Sequence, residues 1–199
     1  MLVAMVCIYC ICCIYVYVLD SILSGVQLFP INAHLSSTSG DIQVMININL
    51  IENISCWKGS RRAAKCIDGN RTADPSQHDP SMCHSDCCNG QENAPWLALE
   101  FSGPVNVTRV DIYNRVDNSI TAARLKNVEV RLTEEMPASD HQMYTGGELL
   151  GTFKGPGTLE QKVIKVDGNA PKIGRYVLIQ MRNRDCLNLY EVEAFGQGL

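Results

Sequence analysis

Short runs of alternating apolar and polar residues, cut by glycine and proline, constrain the fold of this chain more than any other feature. In the run ending at Tyr113, Val110 and Ile112 fall on one side and Arg109 and Asp111 on the other. Val128, Val130 and Leu132 repeat the pattern, as do Arg175 to Met181 and Tyr190 to Phe195. Trp96 to Phe101 and Leu149 to Phe153 are shorter candidates. A period of two is that of a half-buried strand, because successive side chains point to opposite faces of a sheet. Gly103-Pro104, Gly146-Gly147, Gly155-Pro156-Gly157, Gly168 and Gly174 punctuate the runs. Several short strands with regular turns predict an all-β, antiparallel sandwich or barrel. Helical periodicity is limited to a turn near Ser60 to Lys65.

Ten cysteines point to a compartment. Cys7, Cys10, Cys12 and Cys13 lie within Met1 to Leu19, a stretch that is apolar and uncharged throughout; the first charge is Asp20 and the first basic residue Lys58. This reads as a cleaved secretory signal, with an uncleaved signal-anchor as the alternative because no basic flank precedes it. Either places the rest of the chain in an oxidising environment. There Cys56, Cys66, Cys83, Cys87, Cys88 and Cys186 are expected in disulfides whose pairing the spacing leaves open. Sequons at Asn53, Asn70 and Asn106 agree with secretion as a glycoprotein. The expected organisation is a signal peptide or signal-anchor over 1–25, a turn-rich linker over 26–46, and one folded domain over 47–197.

Net charge −4 argues against a nucleic-acid partner, which requires a clustered basic face. The chain lacks a glycine-rich phosphate loop, a Gly-x-Ser-x-Gly elbow and a His-Glu-x-x-His helix. A thiol–imidazole pair of Cys83 with His78 or His84, or a zinc cluster of Cys83, His84, Cys87 and Cys88, competes with disulfide formation. Glu134-Glu135 reads as solvated charge. No catalytic residue is therefore expected.

Two groups remain as candidate sites. Asp68-Gly69-Asn70 suits either a hard cation gathering oxygen ligands or a turn closed by the Asp68 side chain. Arg115 follows a strand, Asp117 stands beside it, and Arg124 is expected to open the next strand. Asp117 can hold an arginine fork in place. Together with His84 these side chains suit the vicinal hydroxyls of a neutral sugar or an anionic group; a solvated surface ion pair is the simpler reading.

The runs Ala64 to Asn70, Cys83-His84, Asn93 to Phe101, Val110 to Asp117, Arg124 to Arg131, Gly174 to Val177 and Leu187 to Gly196 together resemble the fucolectin (F-type lectin) family, within the discoidin or coagulation factor 5/8 type C superfamily. The resemblance implies a β-jelly-roll that binds L-fucose in a shallow pocket at one end. It implies that Arg115 and Arg124 contact the ring oxygen and hydroxyls, that Asp117 buttresses them, and that His84 (or His78) meets the axial hydroxyl. It further implies a Ca2+ ion held by the Asp68 and Glu191 side chains and backbone oxygens of Lys65, Asn70, Ser81 and Tyr190. A Cys83–Cys186 bridge is the tentative disulfide. Two departures stand out: six residues rather than four separate Asp117 from Arg124, and Asn118-Ser119 stand where the family often has adjacent cysteines.

The expected function is a secreted, calcium-containing lectin for terminal fucose on glycans. Weak single sites would be linked in a homo-oligomer, and innate recognition would be the role. A discoidin-like adhesion or lipid-surface module is the alternative, with Met136-Pro137 and Met143-Tyr144 as its apolar tips. A membrane-anchored ectodomain follows if the N-terminal segment is retained.

Overall fold

Two strands much longer than the alternation suggests organise the fold. In a computed structural model that describes residues 26–35, 63–72, 82–85, 92–136 and 144–198, β5 (Trp96–Asn114) and β8 (Val163–Met181) each run for 19 residues. They pair antiparallel, and their register breaks between Glu100 and Val105. Gly103-Pro104 lies in that break and Gly174 is the partner of Val105. Residues that read as turns between strands are thus bends within them. Extra residues on one strand bend and twist a ladder, and proline is tolerated where the ladder is interrupted.

The bend lets each long strand serve two layers. The first part of β5 pairs with the last part of β8, which carries β6 (Val128–Thr133) and then β7 (Glu148–Phe153). The second part of β5 pairs with β10 (Asn188–Gly198), which carries β1 (Val26–Leu28) and β3 (Cys83–His84). β2 (Asn32–Leu35) pairs with the start of β5, and β4 (Glu92–Asn93) with β9 (Arg184–Asp185). Leu97 and Leu99 from one layer share a single buried core with Val110, Ile112, Val192 and Ala194 from the other. β7 crosses close over the first part of β8: a Cβ on Gly151 would stand 2.8 Å from a Val166 methyl and 2.9 Å from the Asp167 carbonyl. The architecture is the expected all-β antiparallel sandwich. Its described helices are a 3-10 turn, Ala63–Cys66, and one four-residue α-helix, Ser119–Ala122.

Three expectations change. Residues 26–35, read as linker, contribute two strands; Ile31 N–H donates to the Glu100 carbonyl at 2.7 Å and Ala33 is buried. Strand pairing at a sheet edge uses backbone groups, so it leaves little pattern in so short a segment. Cys83 bonds Cys66, not Cys186, with the two Cα atoms 5.3 Å apart. The 3-10 turn brings Cys66 onto β3, a juxtaposition that spacing does not encode. Cys186 is also disulfide-bonded, and its partner cysteine lies outside the described residues. With its sulfur in a disulfide, Cys83 is neither a nucleophile nor a zinc ligand. Met136 and Tyr144, read as exposed tips, pack on the buried Trp96, Ala98 and Leu178.

The expected signal or anchor, Met1 to Leu19, lies outside the described residues. Among those described, no helix is long and apolar enough to cross a membrane. Of the sequons, Asn53 is also outside; Asn70 is exposed, whereas Asn106 sits in mid-sheet between Ile173 and Gln197.

Non-reducing peptide mapping is expected to recover Cys66 linked to Cys83. Replacing both by alanine should cost about 3 kcal/mol in denaturant unfolding, the loop-closure value for a loop of this size. Recovery of Cys83 linked to Cys186 would refute the assignment.

Candidate functional site

The bend in β5 brings its two ends to the same end of the sandwich. Three-strand register then assembles a row there. On β10, Leu189 stands opposite both Cys83 of β3 and Asn114 of β5, and Asn188 stands opposite His84. Cys83 and Leu189 belong to the core. Alternation therefore puts His84 and Asn188 on the other face; β5 ends at Asn114, and Arg115 follows directly. His84, Asn188 and Arg115 are each 3% exposed.

Arg115 is held by Asp117 in a two-point fork. Its Nε donates to Oδ1 at 2.7 Å and its Nη2 to Oδ2 at 2.8 Å. Paired planar groups fix a guanidinium before any ligand arrives. Asp117 also accepts from Thr121 Oγ1 at 2.6 Å. Burial acts to raise the Asp117 pKa, but the hydrogen bonds from Arg115 and Thr121 and the charge of Arg115 outweigh it, leaving the carboxyl below its ordinary value.

The six residues between Asp117 and Arg124 form a capped helical turn. Asn118 is its N-cap, accepting from Thr121 N–H at 2.9 Å, and Asn114 Nδ2 donates to the Ala122 carbonyl at 3.1 Å. A helix advances only ~1.5 Å per residue, so the turn absorbs the extra length. Gly157 seals its far side: a Cβ there would stand 2.6 Å from Asn114 Nδ2 and 2.7 Å from the Ala122 carbonyl. Ile120 projects from this turn, 75% exposed.

Arg124 does not open a strand. It follows the helix, four positions before β6, with its backbone N–H bonded to the Thr121 carbonyl. It is half-buried, and among the described residues its guanidinium has no hydrogen-bond or ion-pair partner. His84 faces the Ser85 carbonyl through Nδ1 at 2.6 Å. A carbonyl only accepts, so Nδ1 carries a proton. His78, the other candidate, lies outside the described residues.

Below the row, on the same outer face of β10, lies an acidic cluster. The loop after the 3-10 turn docks there: Gly69 N–H donates to Glu191 Oε2 at 3.2 Å, and Arg71 pairs with Glu193 at 2.6 Å. Glu191 is 3% exposed. Burial raises its pKa to about 7, the Gly69 N–H lowers it in part, and the nearby negative charges of Asp68 and Glu193 raise it further. Asp68 Oδ1 accepts from Asn70 N–H at 3.0 Å, the bond expected of a turn. No group of three or more His, Cys, Asp or Glu side chains positioned for a metal occurs among the described residues. Of the expected calcium ligands, Lys65, Asp68, Asn70, Tyr190 and Glu191 are described and Ser81 is outside. A cavity of about 350 Å³ lies away from both groups, between β7 and β8, lined by Leu150, Thr152, Asp167 and Lys172 among others.

Sequence reasoning missed Asn114, Thr121, Asn118 and Asn188. The first three brace the loop, and the N-cap pattern Asn118-Ser-Ile-Thr121 is the one local signal that could have revealed it. Because the folded pKa of Asp117 lies below its unfolded value, its contribution is full above the ordinary aspartate range and is lost as pH falls through the folded value. Asp117→Ala should therefore destabilise by about 2 kcal/mol at pH 7, a buried-pair figure reduced for the partial exposure of Asp117. The difference from wild type should hold constant down to about pH 5 and shrink below about pH 4. A difference independent of pH would contradict the ion-pair assignment.

No family model matches the chain. A protein named fucolectin from Anguilla anguilla is 30% identical over 133 residues, which span 66% of this chain and 74% of the relative. Among solved structures, a fucose binding module from Streptococcus pneumoniae superposes with a TM-score of 0.57 at 19% identity, covering 87% of this chain and 96% of its own. The lectin domain of lectinolysin, solved with Lewis b antigen, gives 0.55 at 24% identity, covering 84% and 93%. The two solved modules share the sandwich with this chain. At 30% identity over 74% of the Anguilla anguilla relative, the likeness extends beyond a shared fold; the chain belongs to the fucolectin family.

Proposed function

We propose that this protein is a secreted lectin that binds terminal L-fucose on glycans through His84, Arg115 and Arg124. One observation supports the reading: the Arg115–Asp117 fork directly follows β5, whose partner β10 also pairs with the strand of His84, and a capped turn joins it to Arg124. Sugar hydroxyls both donate and accept. Guanidinium groups supply donors and an imidazole ring can supply an acceptor, so one pyranose edge can exchange its water for protein. Arg115 is spared ordering entropy because Asp117 already holds it, whereas Arg124 has no partner to give up among the described residues. The names of the Anguilla anguilla relative and of the Streptococcus pneumoniae module support fucose as the sugar. A shallow polar site gains little net free energy alone, so linked copies and glycan avidity fit this chemistry, as does a role in innate recognition. Binding is the whole of the activity; no chemical step is assigned.

The acidic cluster fits a Ca2+ ion. Two carboxylates, one of them buried and raised in pKa by its neighbours, are what a hard divalent cation would relieve, with carbonyl oxygens filling the remaining positions. Asp68 and Glu191 would hold it through side chains and Lys65, Asn70, Ser81 and Tyr190 through backbone. The ion would tie the 65–70 loop to β10, beside the row that contains His84. Of the tips of the lipid-surface alternative, Met136 and Tyr144 pack on buried side chains, and Pro137 and Met143 lie outside the described residues.

Arg124→Met should weaken binding of methyl α-L-fucoside by roughly 10–100-fold, the range for a hydrogen bond to a charged group. Its melting temperature should match wild type. Unchanged affinity would remove Arg124 from the site, and a wild type that binds no fucosylated glycan would sink the lectin reading. Calcium at 100 times its Kd should stabilise the protein by about 2.7 kcal/mol, and Glu191→Gln should abolish that shift. Equal stabilisation of the variant would place the ion elsewhere.

A further inference from the structure

We infer that Asn188 is a further sugar-contacting residue of this site, donating from Nδ2 to a ligand hydroxyl beside His84. The inference rests on the lectin reading above and adds a residue that no motif marks. Its first support is place. Asn188 pairs with His84 across one side of β10, and on the other side the next residue, Leu189, pairs with Asn114, which directly precedes Arg115. Residues directly opposite on neighbouring strands share a face, so Asn188 and His84 stand side by side, on strands ~4.8 Å apart.

Its second support is an unmade hydrogen bond. Asn188 is 3% exposed, and its Nδ2 is buried with no hydrogen-bond partner among the described residues. Buried polar groups are nearly always paired, because an orphan loses its water and gains nothing in return. Three other amide groups also carry an orphaned atom: Asn106, Asn114 and Asn183, each at Oδ1. Those are acceptors. Asn106 lies in mid-sheet, Asn114 uses its Nδ2 to hold the helical turn, and Asn183 uses its Nδ2 toward the Arg184 carbonyl. Asn188 alone of the four offers an orphaned donor, and it alone pairs with a candidate sugar contact. A hydroxyl accepting from Asn188 would lie beside the His84 ring, while Arg115 donates to a neighbouring oxygen. The row would then read the relative positions of hydroxyls, which is how a site tells one sugar from its epimer.

The test compares Asn188→Leu and Asn188→Asp with wild type by titration of the full chain with methyl α-L-fucoside and its mono-deoxy analogues. Both variants are close to asparagine in size, and both remove the amide donor. Each should bind the parent sugar at least tenfold more weakly. For Asn188→Leu the melting temperature should be equal to or above wild type, since an orphaned amide has been removed. Against one deoxy analogue, the one lacking the hydroxyl that Asn188 meets, wild type and variant should bind alike. If Asn188→Leu does not fold, Asn188→Asp decides. Wild-type affinity in these variants, with Arg124→Met still defective, would overturn the role of Asn188 and leave the lectin reading standing. A tenfold loss that is the same for every deoxy analogue would mean a structural role and would also overturn it. A wild type that binds neither the fucoside nor any fucosylated glycan would overturn both.

Discussion

The site depends on β5 and β8 running through both layers of the sandwich. Were they the short strands that glycine and proline suggest, each layer would be a separate sheet joined by loops, and loops alone would set the relative position of His84, Arg115 and Arg124. Instead β5 is shared. Its first part builds one layer, its second part the other, and the interruption between Glu100 and Val105 turns it back. Both ends of the strand therefore lie over one end of the core, and the segment from Arg115 to Asn127 has only to cross between layers. The hydrophobic residues on both sides of the bend share a core, so the angle between the layers is fixed by packing.

The outer face of the β5–β10 layer is rich in charge, and most of that charge is answered within the protein. Arg109 bonds Asp111 at 2.8 Å and stands 4.1 Å from the centre of the Phe195 ring; Glu193 takes Arg71 and accepts from Tyr113. These pairs offset desolvation rather than add much stability, because removing two charges from water consumes most of their attraction. What they contribute is definition: each outward side chain has one place to be. Against that background the imperfectly answered groups stand out. Glu191 bears a carboxylate whose neighbours push it toward neutrality, Arg124 has no counter-ion among the described residues, and Asn188 has a donor with nothing among them to accept it.

Much of the fold is legible in the sequence and less of the site. Alternation at Val110 to Tyr113 and at Val128 to Leu132 locates strands because one face is buried and the other is not. It fails for Val26–Leu28 and Asn32–Leu35, whose pairing is carried by backbone groups, and for Gly103-Pro104, where a turn signal marks a bulge. Arg115 and Asp117 are legible as a pair because a spacing of two in extended chain brings side chains to the same side. The position of Arg124 is not, since counting residues cannot distinguish an extended insertion from a helical one. The Cys66–Cys83 bond and the place of Asn188 beside His84 depend on which strands become neighbours. That is a property of the whole sheet, and no local segment contains it.

The two extra residues between Asp117 and Arg124 show why a spacing can change while a site persists. In extended chain they would displace Arg124 by several ångströms, more than a hydrogen-bonded ligand tolerates. Wound into a turn, they displace it by far less along the path, and the turn is fastened at both ends. Asn118 and Thr121 tie its start to Asp117, and Asn114 ties its end to β5. The same carboxylate that holds Arg115 therefore also anchors the helix that carries Arg124. Rigidity and spacing become one problem with one solution. The helix also lifts Ile120 into solvent, an apolar surface on the same turn that joins the Arg115–Asp117 fork to Arg124. A deoxy sugar has hydroxyls on one edge and a methyl group on another, and on the proposed reading such a turn would offer a partner to both.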